Sequence, residues 1–265
     1  VQLIAPVYGG INLEDISAPR CFEIERRLRA ILDIPVFHDD QHGTAIVVLA
    51  ALINSLNLVD KKIKDCKIII NGVGAAGTAI ARLLVLSGAE NIIGFDRTGA
   101  ITKNRESNDE MRQWFIDNCN PNQFNGSLSE AMQGADVFIG VSAPNILKEN
   151  DIKSMASKAI VFALSNPDPE IDPTIAQKYA AVVATGRSDQ PNQINNVLAF
   201  PGIFRGLLDS GIHKISDSML LRASEAIANC VLPSQLNSSF IIPSVFDPQV
   251  AINVAKAVIG SSANK

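Results

Sequence analysis

The stretch IIINGVGAAGTAIARLLVLSGAENIIGFD, residues 68–96, decides the fold. It opens on a β-branched apolar run, Ile68–Ile70, and breaks into Gly72-Val73-Gly74-Ala75-Ala76-Gly77. A segment with apolar residues at helical spacing follows, and a second strand-like run, Ile92–Phe95, ends in Asp96. Strand, glycine turn, helix, strand and carboxylate in that order is the arrangement that holds a dinucleotide. The turn residues Gly72, Gly74, Ala75, Ala76 and Gly77 let the backbone bend tightly and approach a pyrophosphate. The helix start adds unpaired N–H groups and the positive end of its dipole. Asp96 stands where a ribose hydroxyl would donate to it, which favours NAD, because a carboxylate repels a 2′-phosphate. The adjacent Arg97 could pair with that phosphate, so NADP stays open. A GxGxxG pattern alone is weak; the strands on both sides and the acid give this one its weight.

Outward from that unit, Ala135–Ile139, Ala159–Ala163 and Ala181–Ala184 are short apolar runs separated by helix-length segments, which implies parallel strands joined by crossovers. Upstream, Ala45–Leu58 is a long apolar helix, expected to be buried over most of its circumference. Downstream of the unit, Thr98–Glu110 is polar and loop-like, and helices are expected at Glu110–Asn118 and Leu128–Gln133. The tail carries three more, Leu198–Leu208, Ser216–Val231 and Pro248–Ile259, the last two capped by Ser216 and Asp247. The fold class is α/β: a doubly wound, Rossmann-type, mostly parallel sheet flanked by helices, with a helical C-terminal tail.

In such a sheet a ligand lies beyond the carboxyl ends of the strands. Those ends are rich in small and polar residues. Gly140-Val141-Ser142-Ala143-Pro144 would pass close to the ribose or nicotinamide, with the backbone at Val141 and Ser142 mattering more than the hydroxyl. Ser165-Asn166-Pro167 and Thr185–Asp189 follow. Asn166 and the pair Asn195-Asn196 offer neutral amides suited to a carboxylate or hydroxyl substrate. The competing reading is local: a turn at Asn166 before Pro167, and helix capping at Asn195-Asn196.

The 265 residues are 47% hydrophobic and 19% charged with a net charge of −4, so no basic excess argues for nucleic acid or an anionic membrane. Apolar runs are short and interrupted, none reaching the roughly 18 residues of a membrane span. Cys21, Cys66, Cys119 and Cys230 are scattered without metal spacing, which suggests buried free thiols and a cytoplasmic setting. The three histidines form no HExxH or HxH pattern.

Two acidic pairs, Glu14-Asp15 and Asp39-Asp40, sit between short apolar runs ahead of the glycine turn. Such pairs are usually solvated charge. Carboxylates converging from separate segments, with no cysteine ligand nearby, would instead suit a hard cation such as Mg²⁺ or Mn²⁺. If the chain is extended at 39–40, the two side chains point to opposite faces and one of them meets the ion. Ser17 is expected to cap a helix over Arg20–Leu32 with Pro19 in its first turn. Val1–Val7 has the pattern of an amphipathic helix end.

Taken together, these residues resemble the malic enzymes, the oxidative decarboxylases of malate, in their compact bacterial form. The segments that carry the likeness are GGINLEDISAPRCFEIE (9–25), IPVFHDDQHGTA (34–45), NGVGAAG (71–77), ADVFIGVSAP (135–144), VFALSNPDPE (161–170) and ATGRSDQPNQINNVLAFPGIFRG (184–206). The resemblance implies conversion of malate to pyruvate and CO₂ with NAD or NADP and a divalent metal. It implies Glu14, Asp15 and Asp40 as metal ligands and Asp39 as the acid that supports the catalytic base. Asn166 and Asn196 match the amides that hold malate, and the glycine turn with Asp96 matches the cofactor site.

The family's tyrosine acid, lysine base and substrate-holding arginine lie upstream of GGINLED, and that segment is not in this sequence. Tyr8 and Tyr179 match neither role. Residues 1–44 are then expected to be the remnant of an N-terminal, metal-binding region, and 45–265 the NAD(P)-binding domain with its C-terminal helices. By themselves these residues should bind cofactor and be close to inactive, and the family implies a homodimer or larger assembly. The rivals are a malolactic-type reaction releasing lactate, a metal-free dehydrogenase of the amino-acid or shikimate type, and a non-catalytic nucleotide-binding module.

Overall fold

The computed structural model describes residues 1–105, 107 and 109–261. The front of the chain forms β1 (Ile11–Leu13), α1 (Arg20–Ile31) and β2 (Val36–His38), and then a five-residue π-helical turn, Asp39–Gly43, that runs into α2 (Thr44–Val59). The main sheet and its helices follow as β3 (Lys67–Asn71), α3 (Ala75–Leu86), β4 (Asn91–Asp96), β5 (Gly99–Ala100), α4 (Glu110–Asn118), α5 (Leu128–Met132) and β6 (Val137–Gly140). After them come α6 (Glu149–Lys153), β7 (Ile160–Ala163), α7 (Pro173–Ala176), β8 (Val182–Thr185), α8 (Phe200–Ser210), α9 (Asp217–Ala228) and α10 (Pro248–Gly260).

The main sheet has the order β5-β4-β3-β6-β7-β8 and is parallel except for β5. The chain leaves β3 for β4 on one side and later crosses to β6 on the other, so the connections that follow β3 and β6, through α3 and α6, run to opposite faces of the sheet. That divergence is where a doubly wound sheet opens its ligand crevice. At its floor the Val141 N–H donates to the Asn71 carbonyl at 2.9 Å.

The central strands are apolar on successive residues because both faces are covered. Ile68 and Ile70 face the layer built by α2, α3, α8, α9 and α10, whereas Ile69 faces the layer of α5, α6 and α7. The α2 helix is buried nearly all round, and its Asn54 amide donates to the carbonyls of Ala228 and Ile241, both at 2.9 Å. Together with the π-turn it forms a 21-residue helix, Asp39–Val59, long and apolar enough to cross a membrane, yet 72% of its most apolar window is buried inside the protein. The sequence's short runs concealed this, since Asp39–Gly43 and Asn54 interrupt the pattern without interrupting the helix. The boundary set at residue 44 falls inside that helix, and residues 262–265 of the second expected domain lie outside the described residues.

β1 and β2 pair in parallel over a small cluster of Leu13, Leu28 and Val36. Arg29 ties this layer to the body through the Ile215 carbonyl at 2.6 Å. Ser216 and Asp247 do cap α9 and α10, accepting from Met219 N and Gln249 N. Ser17 does not cap α1. The helix begins at Arg20 with Pro19 at the cap position; Ser17 takes the Cys21 N–H on its backbone carbonyl at 3.2 Å, and its hydroxyl accepts from the Arg20 side chain instead. Val1–Val7 is also not the end of an α-helix: only Ala5–Val7 is helical, as a 3₁₀ turn, with Leu3 fully exposed. Within the loop expected at Thr98–Glu110, residues 99–100 form the antiparallel β5, and residues 106 and 108 lie outside the described residues. All four cysteines are free; Cys21, Cys66 and Cys119 are buried, and burial pushes the Cys119 thiol up to about 12, which leaves it unreactive.

Candidate active site

A pocket of about 530 Å³ opens at the carboxyl ends of β6, β7 and β8, with Glu14, Asp39, Asp40, Asn166 and Asn196 in its lining and Ala76 of the glycine turn at its side. It brings acids from the front of the chain together with residues from the strand ends. Among the described residues no tyrosine or lysine lines it. A wider groove of about 970 Å³ runs between α1 and the start of α4, on the far side of Gln41 and His42.

The turn places Gly72 against β6 and the first N–H groups of α3 towards the crevice. Gly72 N donates to Phe95 O at 2.8 Å and takes φ +108°, a conformation glycine adopts without strain. Asp96 lies beside it, because Asn71 pairs with Phe95 in the β3–β4 register. Its carboxylate is not free. Oδ1 accepts from Arg105 Nη1 at 2.9 Å and from Thr98 N and Oγ1, both at 2.8 Å, while Oδ2 accepts from Arg112 Nη2. Burial works to raise the Asp96 pKa, but Arg105, Thr98 and Arg112 outweigh it and hold the carboxyl well below its usual range. Arg97 is exposed.

The front acids are only partly gathered. Glu14 and Asp40 line the pocket, and the Asp15 backbone N–H donates to Asp40 Oδ2 at 2.8 Å, but the Asp15 side chain is not part of the lining. Among the described residues no three His, Cys, Asp or Glu side chains stand close enough to hold an ion as they are. The donor chemistry nevertheless suits a hard cation: three carboxylates, none ion-paired among the described residues. Asp39 and Asp40 do part company, though not by strand alternation, because both lie on the π-turn. Asp39 points inward, its Oδ2 accepting from Asn196 Nδ2 at 3.1 Å and its Oδ1 buried without a partner among the described residues. Burial raises the Asp39 pKa despite the Asn196 hydrogen bond, and the nearby Glu14 and Asp40 carboxylates add to the rise.

What holds the π-turn is Glu25, a buried residue of α1. It accepts from Gln41 Nε2 at 3.1 Å and His42 Nε2 at 2.6 Å, with Arg29 Nη1 at 3.5 Å. Burial opposes its ionisation, yet His42 and Arg29 together keep its pKa below the ordinary value. Glu25→Ala strips the acceptor from both Gln41 and His42. It is expected to cost about 2 kcal/mol, or about 4–8 °C in Tm, with a smaller loss for Glu25→Gln. A melting temperature equal to the parent's would show that the turn is held some other way.

The two asparagine candidates at 195–196 divide the roles the sequence left open. Asn195 caps the 3₁₀ turn Asn196–Leu198, accepting from Val197 N, and Asn196 turns into the pocket. There its Oδ1 accepts from Thr44 Oγ1 at 3.2 Å while its amide nitrogen serves Asp39. Asn166 is exposed at the pocket, and its side chain makes no hydrogen bond with a described residue. The loops bearing Ser142 and Asn166 hang on one fully buried carboxylate, Glu170: Ser142 N donates to Oε1 and Ser165 N to Oε2, both at 3.1 Å.

The family model described as the malic enzyme NAD binding domain matches residues 41–263. The chain belongs to the malic enzyme family. It is 57% identical over 259 residues to the NAD-dependent malic enzyme of Geobacillus stearothermophilus, spanning 98% of this chain and 54% of that protein. Against the bifunctional malic/malolactic enzyme of Bacillus subtilis it is 49% identical over 260 residues, 97% of this chain and 63% of that one. The crystal structure of the NAD-dependent malic enzyme of Thermotoga maritima superposes with a TM-score of 0.92 at 48% identity, covering 97% of this chain and 68% of that one.

Within this malic enzyme chain, Glu25, Thr44, Arg105, Arg112 and Glu170 escaped the sequence reading. Glu25 and Glu170 stand inside the segments that carry the family likeness, but nothing in their spacing marks them as buried. Tyr8 is exposed and Tyr179 donates to Glu149 at 2.6 Å, so neither belongs to the pocket.

Proposed function

We propose that this chain forms the cofactor-binding, metal-binding and part of the substrate-binding machinery of an enzyme that converts malate to pyruvate and CO₂ while reducing NAD or NADP. The observation that carries this reading is the pocket itself. Acids from the front of the chain and neutral amides from the strand ends converge beside a dinucleotide turn. Asn166 presents a free amide to a substrate carboxylate. Asn196 is oriented from both ends, by Asp39 and by Thr44, so its position is fixed before substrate arrives. Glu14 and Asp40, with Asp15 next in the chain, would hold Mg²⁺ or Mn²⁺. When bound, such an ion supplies Lewis-acid stabilisation of charge developing on the C2 oxygen of malate. The turn Gly72–Gly77 and the backbone at Val141 and Ser142 would hold the dinucleotide, which would supply the hydride acceptor for C2. Asp39 Oδ1, which has no hydrogen-bond partner among the described residues, is the acceptor this reading assigns to a base outside these 265 residues that becomes cationic on taking a proton, as it assigns the general acid there too. The free thiols fit a cytoplasmic setting.

Malate-dependent NAD(P)H formation by the intact protein is expected to vanish on chelation and return with Mn²⁺ or Mg²⁺. Undiminished turnover after chelation would sink the metal assignment, and no turnover with metal and either cofactor would sink the reaction. The isolated 265 residues should bind NADH yet turn malate over more than about tenfold more slowly than the longer form, since groups acting as acid and base are each worth about 10²–10⁴. The malolactic alternative is favoured by one observation, the likeness to the bifunctional Bacillus subtilis enzyme. Lactate formed without net NADH would identify it.

A further inference from the structure

Ser142 is exposed, yet it is held on several sides. Its hydroxyl oxygen accepts from the Asn71 side-chain Nδ2, and its backbone N–H donates to Glu170 Oε1 at 3.1 Å. The residue before it is fixed as well, since Val141 N donates to the Asn71 carbonyl at 2.9 Å. Asn71, the last residue of β3, therefore grips the loop after β6 twice, once by main chain and once by side chain. The two turns also touch: a Cβ built on Gly72 would lie 2.6 Å from the Val141 carbonyl oxygen and 2.9 Å from Ser142 Cβ. Ser142 lines the pocket with Asn166, Asn196, Glu14 and Asp40, and Asn71 is not in that lining.

A serine hydroxyl has one proton to give and two lone pairs to offer. The Asn71 amide nitrogen can only donate, so Ser142 acts towards it as an acceptor. The hydroxyl proton meets no acceptor among the described residues and is left for a ligand. We propose that Asn71 is a positioning residue that fixes Ser142 as a hydrogen-bond donor to an oxygen on the nicotinamide half of the dinucleotide. This rests on the dinucleotide-binding role of the glycine turn and goes beyond it by giving the side chains of residues 71 and 142 a part in the grip. The nicotinamide half is the one concerned because Ser142 shares its pocket with the amides and acids of the reaction centre, whereas Asp96, at the adenosine end, is not in that lining. A hydroxyl oriented before the cofactor arrives loses less freedom on binding than a rotating one. Sequence spacing gave weight at Ser142 to the backbone alone, because the partner that orients its hydroxyl lies 71 residues earlier. An aspartate at position 71 would reverse the arrangement: it could only accept, and would take the serine proton for itself.

The test is a fluorescence titration of the intact protein with NADH, repeated by competition with ADP, which has the adenosine end but no nicotinamide half. Ser142→Ala should weaken NADH about three- to tenfold, the worth of one neutral hydrogen bond, and leave ADP within about twofold of the parent. Ser142→Thr keeps the hydroxyl and should hold NADH within about threefold of the parent. Asn71→Asp should weaken NADH at least about tenfold, partly through its charge beside the pyrophosphate and partly through the hydroxyl it reverses. In the Ser142→Ala background the same change should cost at least about threefold less, since only the charge remains to act. NADH bound as tightly after Ser142→Ala as before, an equal loss for ADP, or an Asn71→Asp loss of the same size in both backgrounds overturns the proposal. ADP affinity retained by Ser142→Ala shows that the variant is folded. A parent that binds neither NADH nor ADP refutes the dinucleotide reading and this one with it, whereas a parent that binds both leaves that reading standing whatever the variants do.

Discussion

Glu170→Ala should cost the protein about 3 kcal/mol, seen as a fall of about 6–12 °C in Tm, and should cut malate turnover about a hundredfold under the proposed reaction. The carboxylate is fully buried and accepts from two backbone N–H groups that lie on different strand ends, Ser142 after β6 and Ser165 after β7. Its own carbonyl accepts from Leu147 N at 3.0 Å, which folds the intervening loop back onto the same residue. There is no slack around it, since a Cβ built on Gly140 would come within 2.3 Å of the Glu170 carboxyl carbon. Alanine leaves the buried Ser165 N–H unpaired, at about 1–3 kcal/mol, and takes the acceptor from the part-buried Ser142 N–H as well. The loops so released are those that carry Ser142 towards the cofactor and Asn166 towards the substrate. Thermal denaturation and steady-state kinetics check the two halves separately, and a variant that melts and turns over like the parent would remove Glu170 from this role.

The sign of the pH dependence gives a second check on the same residue. Burial raises the Glu170 pKa, and the N–H groups of Ser142 and Ser165 only partly offset it. A carboxyl with a raised folded pKa adds stability that is fully present below the unfolded value of 4.5 and is lost as pH rises through the folded one. The stability gap between parent and Glu170→Ala should therefore be widest in acid and narrow on the alkaline side of that window. A gap that widens with rising pH would contradict it.

How much of this was legible in the sequence depends on where each residue finds its partners. The β3–α3–β4 unit was plain because its signals are local: two-sided apolar strands, glycines where the backbone must approach something, and an acid at a fixed place. Ser216 and Asp247 were legible as caps for the same reason, their partners lying two or three residues on. The front acids obey no local rule. Alternation along a strand was the wrong geometry for Asp39 and Asp40, because the π-turn that carries them is set by Glu25 sixteen residues before Gln41 and by Asn196 more than 150 residues after it. Nothing in the local pattern marked Arg105, Arg112 or Glu170. Glu170 joins the ends of β6 and β7, and the two arginines reach Asp96 from nine and sixteen residues further on, which no short window contains. The helices α6 and α7, five and four residues long, are too short to show a period at all.

The glycine turn itself admits a test that separates packing from ligand approach. A Cβ on Gly77 would sit 2.1 Å from the Gly72 carbonyl oxygen and 2.9 Å from its carbon, both backbone atoms that cannot swing aside. Gly77→Ala must therefore push α3 off β3, disturbing Ile80 and Leu84, which are buried in the main core. Overpacking of this kind costs about 1–3 kcal/mol. It also displaces the N–H groups at the start of α3 from the pyrophosphate, so NADH affinity should fall by at least about thirtyfold. Gly74 is the contrast. A Cβ there meets nothing within 4 Å, and its φ of −107° is negative, so alanine is accommodated without a clash in the protein alone. Gly74→Ala should melt within about 0.5 kcal/mol of the parent while still weakening NADH binding, because its methyl group occupies space the pyrophosphate needs. Measured side by side in the intact protein, Gly77→Ala should lose both stability and affinity, and Gly74→Ala affinity alone. If Gly74→Ala binds NADH as tightly as the parent, the pyrophosphate does not lie against this turn; if Gly77→Ala melts like the parent, the close contact between helix and strand is not what fixes the turn in place.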